Sequence, residues 1–195
     1  MNTIHLPNAD VRLDETFIPY GDATALYDRL ARDLPWEQRD VTVQGRVFQQ
    51  PRLTSWHGDA GSYTYSGLTL EAKPWTEDLI AIRDRLEAEL GIRFNSVLAN
   101  LYRAGRRDSI GMHSDSEREL GRFPTIASIS LGRERAFILA PKKGREGSRT
   151  ALRLPHGSLL VMAGATQDNW LHGVDKEAAP SPEGRINLTF RTIRR

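Results

Sequence analysis

The sequence of 195 residues contains no cysteine. This absence excludes disulfide bonds, zinc–thiolate and iron–sulfur centres, and a cysteine nucleophile. Any metal ion must therefore be bound by histidine, aspartate or glutamate side chains, or by water. No apolar run approaches the roughly 20 residues that a membrane-spanning helix needs. The first residues, MNTIHLPNADVRLDETF, lack the basic and apolar regions of a signal peptide. We therefore expect a soluble, cytoplasmic protein without membrane association.

Lysine is scarce, since 4 Lys accompany 23 Arg, and the formal net charge is only +2. Arginine binds phosphate and carboxylate groups bidentately and stacks on bases, so this bias favours a nucleic-acid partner. The same bias is typical of proteins encoded by GC-rich genomes. Charge alone does not decide between the two interpretations.

Two helices are predicted in the first half of the chain. The first covers residues 23–34, with Asp22 as its N-cap and Pro35 directly after it. The second begins after Thr76 and ends at Gly91, a residue type that terminates helices in the left-handed conformation. Its apolar residues recur at helical spacing: Leu79, Ile82, Leu86 and Leu90.

The rest of the sequence has the texture of β-structure. Residues 41–70, between the two helices, predict hairpins or an irregular strand-rich flap. From residue 94 onward, turn residues separate short apolar runs: FNSVLANLYR, TIASISL, AFILA, GSLLVMAG and RINLTFRTI. Such spacing is typical of a sandwich or barrel, with a jelly roll as the leading candidate. We expect an α+β, mainly β chain in which residues 1–93 form an N-terminal extension with helices and flap, and residues 94–195 form the jelly-roll core of one integrated domain.

A possible metal site is indicated by His113-Ser114-Asp115 and by His172, which lies 59 residues downstream. In extended backbone, residues i and i+2 point to the same side, so His113 and Asp115 can converge on one point. One His-x-Asp and a distant His are the ligand set of the 2-His-1-carboxylate iron site, which leaves three coordination positions open. Taken singly, the pair is more typical of a polar surface than of a metal site, and a lone histidine such as His172 is common as an ordinary turn or core residue.

The segment 185–191 alternates strictly between polar and apolar residues. The polar positions are Arg185, Asn187, Thr189 and Arg191. The usual cause of this pattern is a half-buried strand with a solvated polar face. Alternatively, the polar face lines the mouth of a barrel, where two guanidinium groups could hold a dicarboxylate. Asn100 and Tyr102, on an earlier predicted strand, would add an amide and a phenol on the same side.

Together, these motifs resemble the AlkB family of Fe(II)- and 2-oxoglutarate-dependent oxidative dealkylases. The resemblance rests on the order Asn100-x-Tyr102, His113-x-Asp115, His172, Arg185-x-Asn187-x-Thr189-x-Arg191. The flanking segments are similar to those of DNA- and RNA-repair members, and the resemblance covers roughly residues 35–193. These segments are NLYRAGRRDSIGMHSDSE, PTIASISLG, LPHGSLLVMAGATQ, RINLTFRTI and QPRLTSWHGDAGSYTYSGLTL. The resemblance implies a double-stranded β-helix, a variant of the jelly roll, and Fe(II), 2-oxoglutarate and O₂ as cofactor and cosubstrates.

The resemblance also implies roles for individual residues. The implied metal ligands are His113, Asp115 and His172. Asn100 and Tyr102 would line the 2-oxoglutarate site, Arg185 would pair with the distal carboxylate, and Asn187, Thr189 and Arg191 would lie near the chelating end. No catalytic residue beyond the iron ligands is implied.

On the substrate side, Tyr65 matches an aromatic stacking position, with the His113 ring on the other face of the base. Tyr63 would bond the base edge, and Glu117 and Arg52 are further candidates. Cations in the predicted loops could contact a phosphate backbone. Arg106 and Arg107 are the stronger candidates, and the weaker ones are Lys142, Lys143, Arg145 and Arg149. Asp108 and Asp175 are interpreted as loop or turn residues.

The implied activity is oxidative dealkylation of lesions such as 1-methyladenine and 3-methylcytosine in DNA repair, coupled to decarboxylation of 2-oxoglutarate to succinate. A base inside a duplex must be flipped out, unless the substrate is single-stranded. Duplex-repairing relatives insert an apolar or aromatic wedge from a hairpin that precedes the Pro51-Arg52 segment. The nearest match here carries Gln44 at its tip, which favours single-stranded DNA or a different wedge residue.

Three alternatives remain open. The first is a dealkylase of tRNA or mRNA, because no residue of the sequence identifies a reader of the 2′-hydroxyl. The second is a hydroxylase of proteins or small molecules on the same iron core. The third is a non-catalytic nucleic-acid-binding module, which would predict a broken ligand set. No obligate protein partner is expected.

Overall fold

The computed structural model describes residues 1–43, 45–59, 62–65 and 68–194. Its major sheet has seven strands in the order β1-β2-β13-β10-β15-β8-β5, and its minor sheet has four in the order β12-β11-β14-β9. Two further hairpins are formed by β3 with β4 and by β6 with β7. The strand bounds are β1 Asn2–Ile4, β2 Asp10–Asp14, β3 Asp40–Val43, β4 Arg46–Gln49, β5 Leu53–Gly58, β6 Ser62–Tyr65, β7 Leu68–Glu71, β8 Ser96–Tyr102, β9 Ile110–His113, β10 Ile126–Gly132, β11 Arg135–Pro141, β12 Thr150–Leu154, β13 Ser158–Ala163, β14 Trp170–Val174 and β15 Arg185–Arg191.

The two sheets pack face to face through one apolar cluster. It joins Leu13, Leu160 and Met162 of the major sheet to Leu139 and Trp170 of the minor sheet. Neighbouring strands are antiparallel throughout both sheets. This double-layered antiparallel architecture confirms the predicted jelly-roll core.

Helix α2 (Glu77–Leu90) has the predicted bounds. The Thr76 side chain accepts a hydrogen bond from the Leu79 N–H, and Gly91 ends the helix at φ 66°. Leu79, Ile82 and Leu86 are buried. Local capping signals and apolar spacing therefore suffice to define this helix.

Helix α1 (Tyr20–Asp33) begins three positions earlier than predicted, and the assignment of Asp22 as its N-cap is wrong. Pro19 occupies the N-cap position, and its carbonyl accepts the Ala23 N–H at 2.9 Å. Asp22 instead lies in the first turn, where the positive end of the helix dipole stabilises its carboxylate.

Both helices cover the outer face of the major sheet. Leu30 of α1 and Leu86 of α2 share a buried cluster with Ile186, Leu188 and Phe190 of β15. The apolar side of β15 is therefore sealed beneath the helices, and its polar side faces the interior of the sandwich. In the described part of the chain, none of the helices combines the length and hydrophobicity required to cross a bilayer.

The region between the helices forms the expected strand-rich flap. Hairpins β3–β4 and β6–β7 confirm the prediction, while β5 joins the edge of the major sheet beside β8. Gln44 lies outside the described residues. The N-terminal strands β1 and β2 were not predicted, and β2 pairs with β13 about 150 residues downstream. The strands β9, β12 and β14 and the short helix α3 (Thr166–Asn169) were also left unassigned by the sequence patterns.

Candidate active site

The three predicted metal ligands converge between the sheets. His113 ends β9 and is the direct antiparallel partner of His172 on β14. Asp115 follows β9 by two residues, and its Oδ1 lies 3.9 Å from His113 Nε2. One potential ligand atom from each of the three residues lies within 4.8 Å of the others. The cross-strand register therefore brings together groups that are 59 positions apart in sequence.

Both imidazoles are prepared to bind a metal ion. His113 Nδ1–H donates to the carbonyl oxygen of Gly111 at 2.8 Å, which leaves the Nε2 lone pair available. Burial lowers the pKa of His172 to about 3, and burial also lowers the pKa of His113. Both rings are therefore neutral near pH 7, the form that coordinates metals.

The two oxygens of Asp115 have different surroundings. Oδ2 accepts hydrogen bonds from Arg191 Nε at 3.2 Å and Nη2 at 2.9 Å. Oδ1 is buried and has no hydrogen-bond partner among the described residues. Burial opposes ionisation, but the Arg191 guanidinium beside the carboxylate counteracts it, and the pKa of Asp115 lies below its usual value. A buried carboxylate oxygen without a partner is costly, so this donor set fits a divalent cation.

The polar side of β15 lines the same cavity. Arg185 lies opposite Tyr102, and Asn187 opposite Asn100, in the register of β15 with β8. The four predicted polar residues of β15 are each at most 9% exposed. The interpretation of this strand as a solvated surface is therefore wrong, and the interpretation as the lining of a barrel mouth is correct. The cavity wall contains Asn100, Tyr102, His113, Asp115, His172, Arg185, Asn187, Thr189 and Arg191.

Arg185 is a buried cation with unused donors. Its Nη2 donates to Ser130 Oγ at 2.9 Å, and its guanidinium carbon lies 5.1 Å from the centre of the Tyr102 ring. Nε and Nη1 have no hydrogen-bond partner in the described part of the chain. Burial lowers the pKa of Arg185, and the nearby positive charge of Arg135 acts in the same direction, against a smaller opposing effect of Tyr102. A bound carboxylate would satisfy both donors.

The remaining polar side chains of β15 support this wall. Thr189 Oγ1 donates to Asn187 Oδ1 at 3.0 Å, and Asn187 Nδ2 donates to Ser128 Oγ at 2.7 Å. On the adjacent strand, Asn100 Oδ1 accepts from Arg52 Nε at 2.8 Å. Arg52 is buried, and its charge helps to lower the pKa of His113. Arg52 therefore lies with the cavity residues.

Of the other predicted substrate residues, Glu117, Arg106 and Arg107 have described side chains, and none of them is among the residues that line the cavity. Tyr63 and Tyr65 belong to β6, and their side chains lie outside the described part of the structure. Glu117 is half-buried at the start of a 3₁₀ turn, Arg118–Leu120. Arg106 and Arg107 are exposed on the loop between β8 and β9, and Arg107 Nε donates to the carbonyl oxygen of Glu177.

Other loop residues have mostly structural contacts. Arg149 pairs with Asp175, and Lys143 and Arg145 are exposed. Asp108 is buried and bonds the backbone N–H and guanidinium of Arg103. Asp108 and Asp175 thus stabilise loops, as expected.

Three polar side chains at the site carry no sequence signal and were not predicted: Ser128, Ser130 and Gln167. The apolar cavity residues Leu98, Ile110, Phe137, Met162 and Val174 were not predicted either. The two serines bond Asn187 and Arg185, and Gln167 Oε1 accepts the backbone N–H of Asp115 at 2.9 Å. Lys142 Nζ in turn donates to the carbonyl oxygen of Gln167. Single serines and glutamines have no spacing that distinguishes them, so these contacts become visible only in the fold.

Comparisons with known proteins agree with this geometry. Residues 10–191 match the model of the 2OG-Fe(II) oxygenase superfamily. Alpha-ketoglutarate-dependent dioxygenase alkB homolog 3 of Bos taurus is 44% identical over 185 residues, covering 91% of this chain and 64% of that protein. DNA oxidative demethylase ALKBH2 of Mus musculus is 40% identical over 204 residues, covering 97% of this chain and 83% of that protein.

The chain thus spans 64% of the length of the bovine relative, less than two thirds. The solved structure of OsALKBH1 superimposes with a TM-score of 0.67 at 18% identity, covering 97% of this chain and 100% of that chain. This last likeness concerns the fold alone.

Proposed function

Because the chain belongs to the AlkB family within the 2OG-Fe(II) oxygenase superfamily, we propose that it is an oxidative dealkylase of nucleic-acid bases. The observation that carries the proposal is one cavity whose lining holds two neutral imidazoles, Oδ1 of Asp115 and two donor atoms of Arg185. Neither Oδ1 nor these donors find a hydrogen-bond partner within the described ranges. The first group fits Fe(II), and the second fits the distal carboxylate of 2-oxoglutarate. The complete ligand set argues against a non-catalytic binding module.

The chain's own residues have binding and orienting roles in the proposed mechanism. His113, Asp115 and His172 would hold the iron, which with 2-oxoglutarate and O₂ supplies the oxidant that hydroxylates the alkyl carbon on a base nitrogen. Arg185 would bind the distal carboxylate beside the Tyr102 ring, and Arg191 keeps Asp115 ionised and oriented. The hydroxylated alkyl group leaves as an aldehyde, a step that needs no acid or base from the protein.

Substrate contacts are proposed for residues that surround the cavity or its approaches. Arg52, buried next to Asn100, would meet the substrate from the flap side of the cavity. Tyr65 would stack on the target base, Tyr63 would bond its edge, and Glu117 would contact it from the loop after β9. The exposed Arg106 and Arg107 would contact the phosphate backbone.

We propose alkylated DNA as the substrate, with single strands preferred. Matched oligonucleotides carrying 1-methyladenine, as single-stranded DNA, duplex DNA and single-stranded RNA, should lose the methyl group only when both iron and 2-oxoglutarate are supplied, with single-stranded DNA fastest. Mass spectrometry of each oligonucleotide measures the loss. If the rate of demethylation of RNA exceeds that of DNA by more than about tenfold, which corresponds to ~1.4 kcal/mol in activation free energy, RNA would replace DNA as the assigned substrate. If the iron-loaded enzyme demethylates none of the oligonucleotides, the proposed function is contradicted.

One observation favours duplex DNA as a second candidate substrate. In hairpin β3–β4, the side chains of Val47 and Phe48 are 67% and 50% exposed. This hairpin precedes Arg52 in the chain, and an exposed aromatic ring can replace a base that has been flipped from the stack. Phe48 is therefore a candidate wedge, even though the predicted hairpin tip carries Gln44.

The substitution Phe48→Ala tests this second candidate. If Phe48 inserts into duplexes, we expect turnover of duplex DNA to fall about tenfold, the equivalent of ~1.4 kcal/mol, while turnover of single strands is unchanged. Val47→Ala is the matched control, because consecutive strand residues point to opposite faces. If Phe48→Ala turns over duplex DNA as fast as the parent does, and single strands likewise, Phe48 is not the wedge.

A further inference from the structure

Asp115 lies where no strand fixes its backbone. Strand β9 ends at His113, and the cross-strand ladder with β14 ends there too. The backbone N–H of Asp115 instead donates to Oε1 of Gln167 at 2.9 Å, across 52 positions of sequence. Gln167 is only 2% exposed, and Asp115 is fully buried. A side-chain amide thus takes the place of the missing ladder bond.

Gln167 is itself held in place from several sides. It lies in helix α3, and its Nε2 contacts Met162 Sδ at 3.7 Å. Its backbone carbonyl oxygen accepts a hydrogen bond from Lys142 Nζ at 2.7 Å. The helix is anchored by Thr166, whose Oγ1 donates to Ala163 O at 2.6 Å, and by Asn169, whose Nδ2 donates to Asn8 O at 3.1 Å. The acceptor that Gln167 offers to Asp115 is therefore at a fixed place.

Helix α3 leads directly into β14, the strand that carries His172. The bond from Asp115 N–H to Gln167 Oε1 consequently ties the segment of one candidate ligand to the element that presents another. On the side-chain end, Arg191 holds Oδ2 of Asp115. With both the backbone and Oδ2 held, Oδ1 is the oxygen that accepts no hydrogen bond from any described residue.

We infer that Gln167 is a positioning residue for the metal centre: its Oε1 fixes the Asp115 backbone so that Oδ1 and the two imidazoles keep one metal-binding geometry. The inference rests on the iron site of the family and is independent of the nucleic-acid substrate. Outer contacts of this kind orient metal ligands, and their removal typically weakens metal binding about 10- to 100-fold.

Two substitutions separate the acceptor from the other properties of Gln167. Gln167→Met keeps the length and volume but removes the acceptor, whereas Gln167→Glu keeps an acceptor oxygen at the same reach. Both variants lose the contact of Nε2 with Met162. Calorimetric titration of the metal-free protein with Mn²⁺ should give a dissociation constant raised about 10- to 100-fold for Gln167→Met and raised less than about threefold for Gln167→Glu. The visible absorption of bound Co²⁺ should change for Gln167→Met alone.

A purely structural role predicts a different result. In that case Gln167→Met would lower the melting temperature of the metal-free protein, and the folded variant would bind Mn²⁺ as the parent does. That outcome would overturn the inference, as would an equal loss of affinity in the Met and Glu variants.

If Gln167→Met does not fold, Gln167→Asn takes its place, because the shorter amide is uncharged but cannot reach Asp115. Parental Mn²⁺ affinity in Gln167→Asn would then overturn the inference, and weakened affinity would support it. Because Mn²⁺ binding needs no substrate, the result stands even if dealkylation is not observed.

Discussion

Replacing Asp115 with alanine should abolish turnover of 2-oxoglutarate while the jelly roll remains folded. Asp115 provides the one carboxylate of the candidate metal centre, and its Oδ1 has no other partner among the described residues. We expect succinate formation to fall at least about 100-fold, equivalent to ~2.7 kcal/mol in transition-state free energy. Titration with Mn²⁺ should show the same loss of metal affinity, and circular dichroism should show retained β-structure.

The substitution also leaves the buried Arg191 without its carboxylate, which by itself costs stability. Asp115→Asn reduces this effect, because its amide oxygen can still accept from Arg191 but its charge is lost. Asp108→Ala is the matched control, since Asp108 is a similarly buried carboxylate paired with Arg103 away from the cavity. It should lower the melting temperature and leave Mn²⁺ affinity unchanged. Retained turnover in folded Asp115→Ala would refute the assignment of the metal centre.

The parts of this molecule that the sequence predicts are those with local or periodic signals. Helix α2 has a Thr cap, a Gly stop and regularly spaced leucine and isoleucine residues, and its bounds are confirmed. The alternation in β15 predicts a strand, but it cannot tell whether the polar face meets water or a cavity. That choice is made by α1 and α2, which cover the apolar face and turn Arg185 and Arg191 inward.

Contacts between distant segments carry no such signal. The pairing of β2 with β13 joins residues about 150 positions apart, and nothing in DVRLD indicates its partner. The same holds for Gln167 and Ser130, whose bonds to Asp115 and Arg185 depend on the final register of the sheets. The ligand triad is an exception, because the family resemblance supplied the order of motifs that spacing alone left open.

Arg185→Ala should raise the KM for 2-oxoglutarate at least about 100-fold, or ~2.7 kcal/mol, with a much smaller change in kcat. The distal carboxylate does not react, so its contact with Arg185 contributes equally to ground state and transition state and affects KM rather than kcat. Two buried donor atoms of Arg185 have no hydrogen-bond partner among the residues that the structure describes, and burial lowers the pKa of its guanidinium. Binding of a carboxylate there would offset both costs. Steady-state kinetics with varied 2-oxoglutarate measures the effect.

The matched control for Arg185 is its neighbour Arg135. Both are buried beside the ring of Tyr102, with guanidinium carbons 5.1 Å and 5.8 Å from its centre. Arg135, however, donates to the carbonyl oxygens of Asp108 and Asp175 and pairs with Glu177, so its role is structural. Arg135→Ala should therefore lower the melting temperature without changing the KM. In the metal-loaded parent, 2-oxoglutarate should raise the melting temperature, and Arg185→Ala should lose that rise. If KM for 2-oxoglutarate is unchanged in Arg185→Ala, the distal carboxylate binds elsewhere, and the polar face of β15 has only a structural role.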